Sequence, residues 1–90
     1  MPGISKMKNL IIVTGGAGFV GSNLIKSLLK KTNKKIISLD NYSSGNKKNH
    51  IKDTRVKYIK AETIDISKHL KKVKKRIHSI FHFGEFARIY

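Results

Sequence analysis

The chain contains no cysteine, which removes disulfide bonds, thiolate zinc sites and a cysteine nucleophile at once. Proline occurs once, and 39% of residues are hydrophobic, a balance that fits a folded chain rather than a disordered basic tail. Acidic residues are scarce. Five Asp+Glu stand against 20 Lys+Arg, for a formal charge of +15 and a pI near 10.4. The five carboxylates (Asp40, Asp53, Glu62, Asp65, Glu85) show no spacing that suggests paired acid/base catalysis. No run approaches the ~20 apolar residues that cross a bilayer. The stretch Leu10–Leu24 is broken by four glycines and lacks a small-residue cleavage site, so it does not read as a signal peptide. These features imply a cytoplasmic chain without a membrane partner. Ninety residues make one small domain whose core is marginal. Residues 1–7 read as a leader and residues 8–90 as the N-terminal part of a larger, truncated domain.

Leu10-Ile11-Ile12-Val13 is a short apolar, β-branched run closed by Thr14 and glycines, the pattern of a strand covered on both faces. From Gly18 to about Lys31, Val20, Leu24, Ile25, Leu28 and Leu29 recur at helical spacing. Thr32-Asn33 ends that helix among lysines that suit its C-terminal dipole. Ile36–Asp40 predicts a second strand, residues 41–49 a polar loop, and Val56–Ile59 a third strand. Ser67 is the expected cap of a second helix reaching Arg76, with Leu70, Val73 and Ile77 on its inner face. Ile77–Phe83 predicts a fourth strand. The order β-α-β-loop-β-α-β is that of a Rossmann-like, doubly wound α/β sheet in its N-terminal half, about four parallel strands.

Gly16-Ala17-Gly18-Phe19-Val20-Gly21 satisfies G-x-G-x-x-G, and counting from Gly15 the same stretch also satisfies G-x-x-G-x-x-G. Glycines allow the sharp strand-to-helix turn, let the backbone approach a pyrophosphate and let helix pack close on strand. The helix start then offers free N–H donors to the anion. Asp40 follows 19 residues beyond Gly21, at the end of the second strand, where a carboxylate accepts hydrogen bonds from an adenosine ribose. A carboxylate there repels a 2′-phosphate, which favours NAD over NADP.

With these pieces in hand, the chain resembles the extended short-chain dehydrogenases/reductases. More narrowly, it resembles the NAD-dependent nucleotide-sugar epimerases and dehydratases, UDP-glucose 4-epimerase among them. The matching stretches are Thr14–Leu24, Leu39–Gly45, Asp65-Ile66 and Phe81–Gly84. The resemblance implies that Gly15, Gly18 and Gly21, with the amides of Phe19 and Val20, hold the pyrophosphate. It implies Asp40 and Asn41 on the adenosine ribose with Ser43, Ser44 and Gly45 beside it, Asp65 and Ile66 flanking the adenine, and Phe83 and Gly84 along the cofactor. Ile64 and Glu85 depart from the family pattern, which usually has a small residue at each place.

The family's catalytic Tyr-x-x-x-Lys is absent: Tyr42 is followed four residues on by Asn46 and Tyr58 by Glu62. The expected function is therefore the NAD-binding segment of a nucleotide-sugar epimerase or dehydratase that works by transient hydride transfer at a sugar carbon. No catalytic residue is expected in the segment, and it is not expected to be active alone. The nucleotide sugar is bound only by the complete protein, for which a homodimer is compatible with the resemblance. The other reading is a stand-alone basic Rossmann-like binding module without catalysis.

The lysines argue for solvated surface over a specific nucleic-acid partner, because Lys71, Lys72, Lys74 and Lys75 form the outer side of an amphipathic helix. His78 and His82 share a strand face roughly 13 Å apart, too far for one metal ion.

Overall fold

The computed structural model describes residues 8–42 and 45–83, the side chains of Thr63 and Ile64 excepted. Four strands, β1 (Leu10–Thr14), β2 (Lys35–Asp40), β3 (Val56–Lys60) and β4 (Ile77–His82), form one sheet in the order β3-β2-β1-β4. Every pairing is parallel. β1 lies between β2 and β4, and all five of its residues are buried, as its unbroken apolar run requires.

The helices α1 (Phe19–Lys31) and α2 (Thr63–Val73) cover opposite faces. Because side chains alternate along a strand, Ile11 and Val13 point to the α1 side, where Ile25 and Ile36 close a buried cluster with Leu24, Leu28 and Leu29 packed on it. Leu10 and Ile12 point the other way and meet Leu39, Ala61 and Ile66, with Leu70 and Val73 against them. Because all the strands run parallel, both strand-to-helix turns fall at the same, C-terminal edge of the sheet.

α1 ends where its last carbonyls find donors. The Thr32 amide and hydroxyl both donate to the Leu28 carbonyl, at 2.9 Å each. The Arg55 guanidinium, brought in just ahead of β3, donates to the carbonyls of Thr32 (2.6 Å) and Leu29 (2.7 Å). These bonds, with Lys30 and Lys31 in the last turn, satisfy the negative end of the helix.

Four boundaries differ from the sequence expectation. β2 takes in Lys35, β3 takes in Lys60, and β4 stops at His82 instead of Phe83. α2 does not begin at Ser67: it starts at Thr63 with Glu62 as the cap residue, gives way after Val73 to a 3-10 turn over Lys74–Arg76, and carries Ser67 inside it. The reason is Ile66. It is fully buried on the same face as Leu70 and Val73, so the apolar stripe begins one turn earlier than the leucine-valine spacing indicates.

Candidate functional site: the crevice at the sheet's C-terminal edge

The turn from β1 to α1 is built from glycines with distinct duties. Gly15 has φ +75°, a conformation L side chains rarely adopt, and the Phe83 carbonyl sits where its Cβ would stand. At Gly21 a Cβ would strike the Gly15 carbonyl, so the absent side chain lets the helix close onto the turn. Gly18 is different. A Cβ there would meet only the Gly15 carbonyl oxygen, at 3.3 Å, a tight contact that a small shift relieves, so packing within the chain requires glycine less strictly than at Gly15 or Gly21. The space it leaves lies at the start of α1, whose cap residue it is.

Ser22 is the first residue of α1 whose amide bonds back along the chain, to the Gly18 carbonyl at 2.9 Å. The amides of Phe19, Val20 and Gly21 precede it and belong to the first turn, which has no intrahelical acceptors for them. The Phe19 and Val20 side chains are bare, at 78% and 58% exposure, beside a helix end that presents donors and partial positive charge.

Asp40, the last residue of β2, faces this turn. Its Oδ2 accepts the Ala17 amide at 3.0 Å and its Oδ1 accepts the Tyr42 amide at 2.8 Å. The side chain thus both joins the glycine turn and caps the bend after β2. A carboxylate offers about four acceptor positions, so two backbone bonds leave capacity for a diol. Gly45 lies against it, with a Cβ there 2.6 Å from Oδ2 and 2.9 Å from the Ala17 Cβ. Phe83 reaches the same edge, its amide donating to the Thr14 carbonyl at 2.9 Å, while His82 Nδ1 lies 3.2 Å from the Thr14 hydroxyl.

The crevice therefore gathers Gly15, Gly18, Phe19, Val20, Gly21, Asp40, Gly45 and Phe83, with half-buried Asn41 following Asp40. Ser43, Ser44, Gly84 and Glu85 lie outside the described residues, as does the expected leader at 1–7. Ile66 lies in the first half of α2 with its side chain buried against Leu10, Ile12 and Leu39, so that only its backbone is left to face a ligand. Asp65 sits in the first turn of α2, where its charge suits the helix dipole. The residues that stand directly beyond β3 are Ala61, whose amide bonds the Asp40 carbonyl at 2.9 Å, and Glu62. Their place just after the third apolar run was the available signal.

Sequence reasoning also missed a cluster beside Asp40. Tyr42 has φ +64° and its hydroxyl lies 2.6 Å from His50 Nε2. The His50 ring stacks on Tyr58 with centroids 3.8 Å apart and planes 8° from parallel. With Lys47 and Lys60 these residues line a cavity of about 570 Å³. Burial, then the Lys47 charge, pushes the His50 pKa below its ordinary value, with Asp40 pulling the other way. Burial, and then Asp40, raises that of Tyr42; burial likewise raises that of Tyr58. Among the described residues no group of three His, Cys, Asp or Glu side chains could hold a metal, and no helix is long and apolar enough to cross a membrane.

A strand-turn-helix with three spaced glycines and an acid closing the second strand defines a dinucleotide-type α/β sheet. The profile of the NAD dependent epimerase/dehydratase family matches residues 11–89, and the chain belongs to that family. It is 32% identical over 74 residues to the ADP-L-glycero-D-manno-heptose-6-epimerase of Cupriavidus pinatubonensis, a match covering 82% of this chain and 22% of that one. Among solved structures it resembles the epimerase Mth375 of Methanothermobacter thermautotrophicus, with TM-score 0.72 and 32% identity over 90% of this chain and 24% of that one. It also resembles the dTDP-glucose 4,6-dehydratase of Bacillus anthracis in complex with NAD, with TM-score 0.71 and 32% identity over 83% and 26%. The chain thus spans about a quarter of the length of these relatives.

Proposed function

We propose that the chain binds NAD across the β1-α1 turn and serves as the cofactor-holding segment of a nucleotide-sugar epimerase or dehydratase. The observation that carries this reading is the light packing at Gly18, where a Cβ would touch a single chain atom, the Gly15 carbonyl oxygen at 3.3 Å, at the start of α1 ahead of its first amides. A pyrophosphate there would accept from the amides of Phe19 and Val20, with Gly15 and Gly21 shaping the turn. Asp40 would take the adenosine ribose diol with its remaining acceptor positions, Asn41, Ser43, Ser44 and Gly45 lying beside it. Phe83 and Gly84 would run along the cofactor from the end of β4.

Bound NAD supplies a hydride acceptor for transient oxidation of a sugar carbon. The residues present bind and orient it, and Asp40 excludes a 2′-phosphate by charge. No Tyr-x-x-x-Lys occurs in the sequence, so the acid/base step is not assigned to any residue here. Sugar binding belongs to the same proposal and is supported by relatives such as the dTDP-glucose 4,6-dehydratase, while subunit pairing is only compatible with the family resemblance.

Titration calorimetry with NAD and NADP tests the reading. NAD is expected to bind at least about tenfold more tightly, one charge repulsion being worth about 1.4 kcal/mol or more at this range. Gly18→Val is expected to abolish binding with the secondary structure retained in circular dichroism, since the added Cβ meets a single chain atom, the Gly15 carbonyl oxygen at 3.3 Å, which must give by a few tenths of an ångström. Preference for NADP, or a Gly18→Val chain that binds as well as the parent, overturns the proposal.

A further inference from the structure

The geometry points to His50 as a positioning residue that fixes the Asp40 carboxylate from the far side of the sheet edge. This inference rests on the reading of Asp40 as a ribose ligand. Its starting point is Tyr42, a non-glycine residue at φ +64° two positions after Asp40. A side chain with a Cβ is disfavoured in that conformation, so something must hold it. Two bonds do. The Tyr42 amide donates to Asp40 Oδ1 at 2.8 Å, and the Tyr42 hydroxyl pairs with His50 Nε2 at 2.6 Å.

His50 is itself braced. Its ring lies flat on Tyr58, a residue in the register-locked part of β3 opposite Ser38. The Tyr58 hydroxyl in turn accepts the Ile51 amide at 2.9 Å. The short segment that delivers His50 is tied to the glycine turn, for the Asn46 amide (3.0 Å) and the Asn49 side-chain amide (2.7 Å) both donate to the Ala17 carbonyl. A continuous path of contacts therefore runs Tyr58, His50, Tyr42, Asp40, Ala17, from a fixed strand to the phosphate turn. Removing the imidazole frees the Tyr42 ring, lets its backbone leave the left-handed region and takes the 2.8 Å bond off Asp40.

The groups facing His50 are Lys47 on its own segment, Asp40 on β2, Tyr58 and Lys60 on β3, and Tyr42. A protonated ring would have to donate to the Tyr42 oxygen instead of accepting from its hydroxyl, and its charge would stand against the Lys47 ammonium. The neutral ring is the working form. Because folding lowers the His50 pKa from 6.5, its contribution is fully present above that value. It is lost as the pH falls from there through the lowered folded value.

The test uses the full chain with His50→Phe, which keeps the ring stack and loses the hydrogen bond, and His50→Gln, which keeps a hydrogen-bonding group that does not titrate. NAD affinity by calorimetry at pH 7.5 is expected to fall about fivefold to tenfold in His50→Phe, the worth of one hydrogen bond. In His50→Gln it should stay within about threefold, and the weakening of NAD binding shown by the parent between pH 7 and pH 5 should flatten. Amide hydrogen exchange at Ala17 and Tyr42, measured without NAD, should quicken at least about fivefold in His50→Phe with the β1 core amides unchanged. Unaltered affinity and unaltered exchange in His50→Phe overturn the inference. If the parent binds no NAD, the ribose reading fails, and the exchange data alone decide whether His50 holds Asp40.

Discussion

Ser38 carries a buried hydroxyl for which no partner exists among the described residues, and it lies directly under Gly16, where a Cβ would strike it. A desolvated hydroxyl without a bond costs free energy that its removal returns. Ser38→Ala is therefore expected to raise stability by about 1 kcal/mol, seen as a higher urea midpoint at constant m-value. Destabilisation would mean that the hydroxyl makes a bond in solution. The residues of the crevice were unequally legible. Glycine identity and spacing reveal the turn because backbone geometry demands glycine there, and Asp40 follows from its place at a strand end. His50 and Tyr58 gave no signal, since nothing in their separation marks them as partners until β3 lies beside β2 and the segment between folds over both.

At the scale of elements, Arg55 joins two parts of the fold that chain order keeps apart. Its guanidinium reaches carbonyls at the end of α1 at 2.6 and 2.7 Å while also lying 3.7 Å from Asp53. Charged donors on a helix C-terminus are worth roughly 1.5–3 kcal/mol. Arg55→Ala should lower stability by about 2 kcal/mol in denaturant unfolding, and Arg55→Lys should restore only part, because an ammonium cannot span both carbonyls in the same fork. A variant as stable as the parent would remove this role. The strands were readable because β-branched runs of this length have few alternatives. The start of α2 was not, because Ile66 belongs to two patterns at once, a short family-like pair with Asp65 and the first rung of an apolar stripe. Its burial shows that the stripe begins there.

For the whole molecule, the sheet of described residues has two outer strands: β3 carries Lys57 and Lys60, whereas β4, with Ile77, Ile80 and Phe81, carries no lysine. A bulge between Leu10 and Ile11 shifts its register, so that Ile80 pairs with Ile12 and points to the α2 face, where it remains 39% exposed. An apolar outer strand is a template for pairing with other chains. Ile80→Lys is expected to suppress concentration-dependent association in sedimentation or light scattering, with the NAD affinity unchanged. Association that persists undiminished would place the sticky surface elsewhere. The charge of +15 opposes such self-association at low ionic strength, so the difference between the two chains should grow as salt is added.

β1 is the first of the described strands yet lies inside the sheet, and Thr14 meets Phe81, 67 positions further along the chain. At about 5–20 residues per second on the ribosome, β1 emerges roughly 3 to 13 seconds before its second neighbour exists. During that interval Leu10–Val13, the most deeply buried segment of the finished protein, has one flank open. The nascent chain is thus most vulnerable at the residues that are safest once folding is done, and a holdase chaperone would find its binding site there.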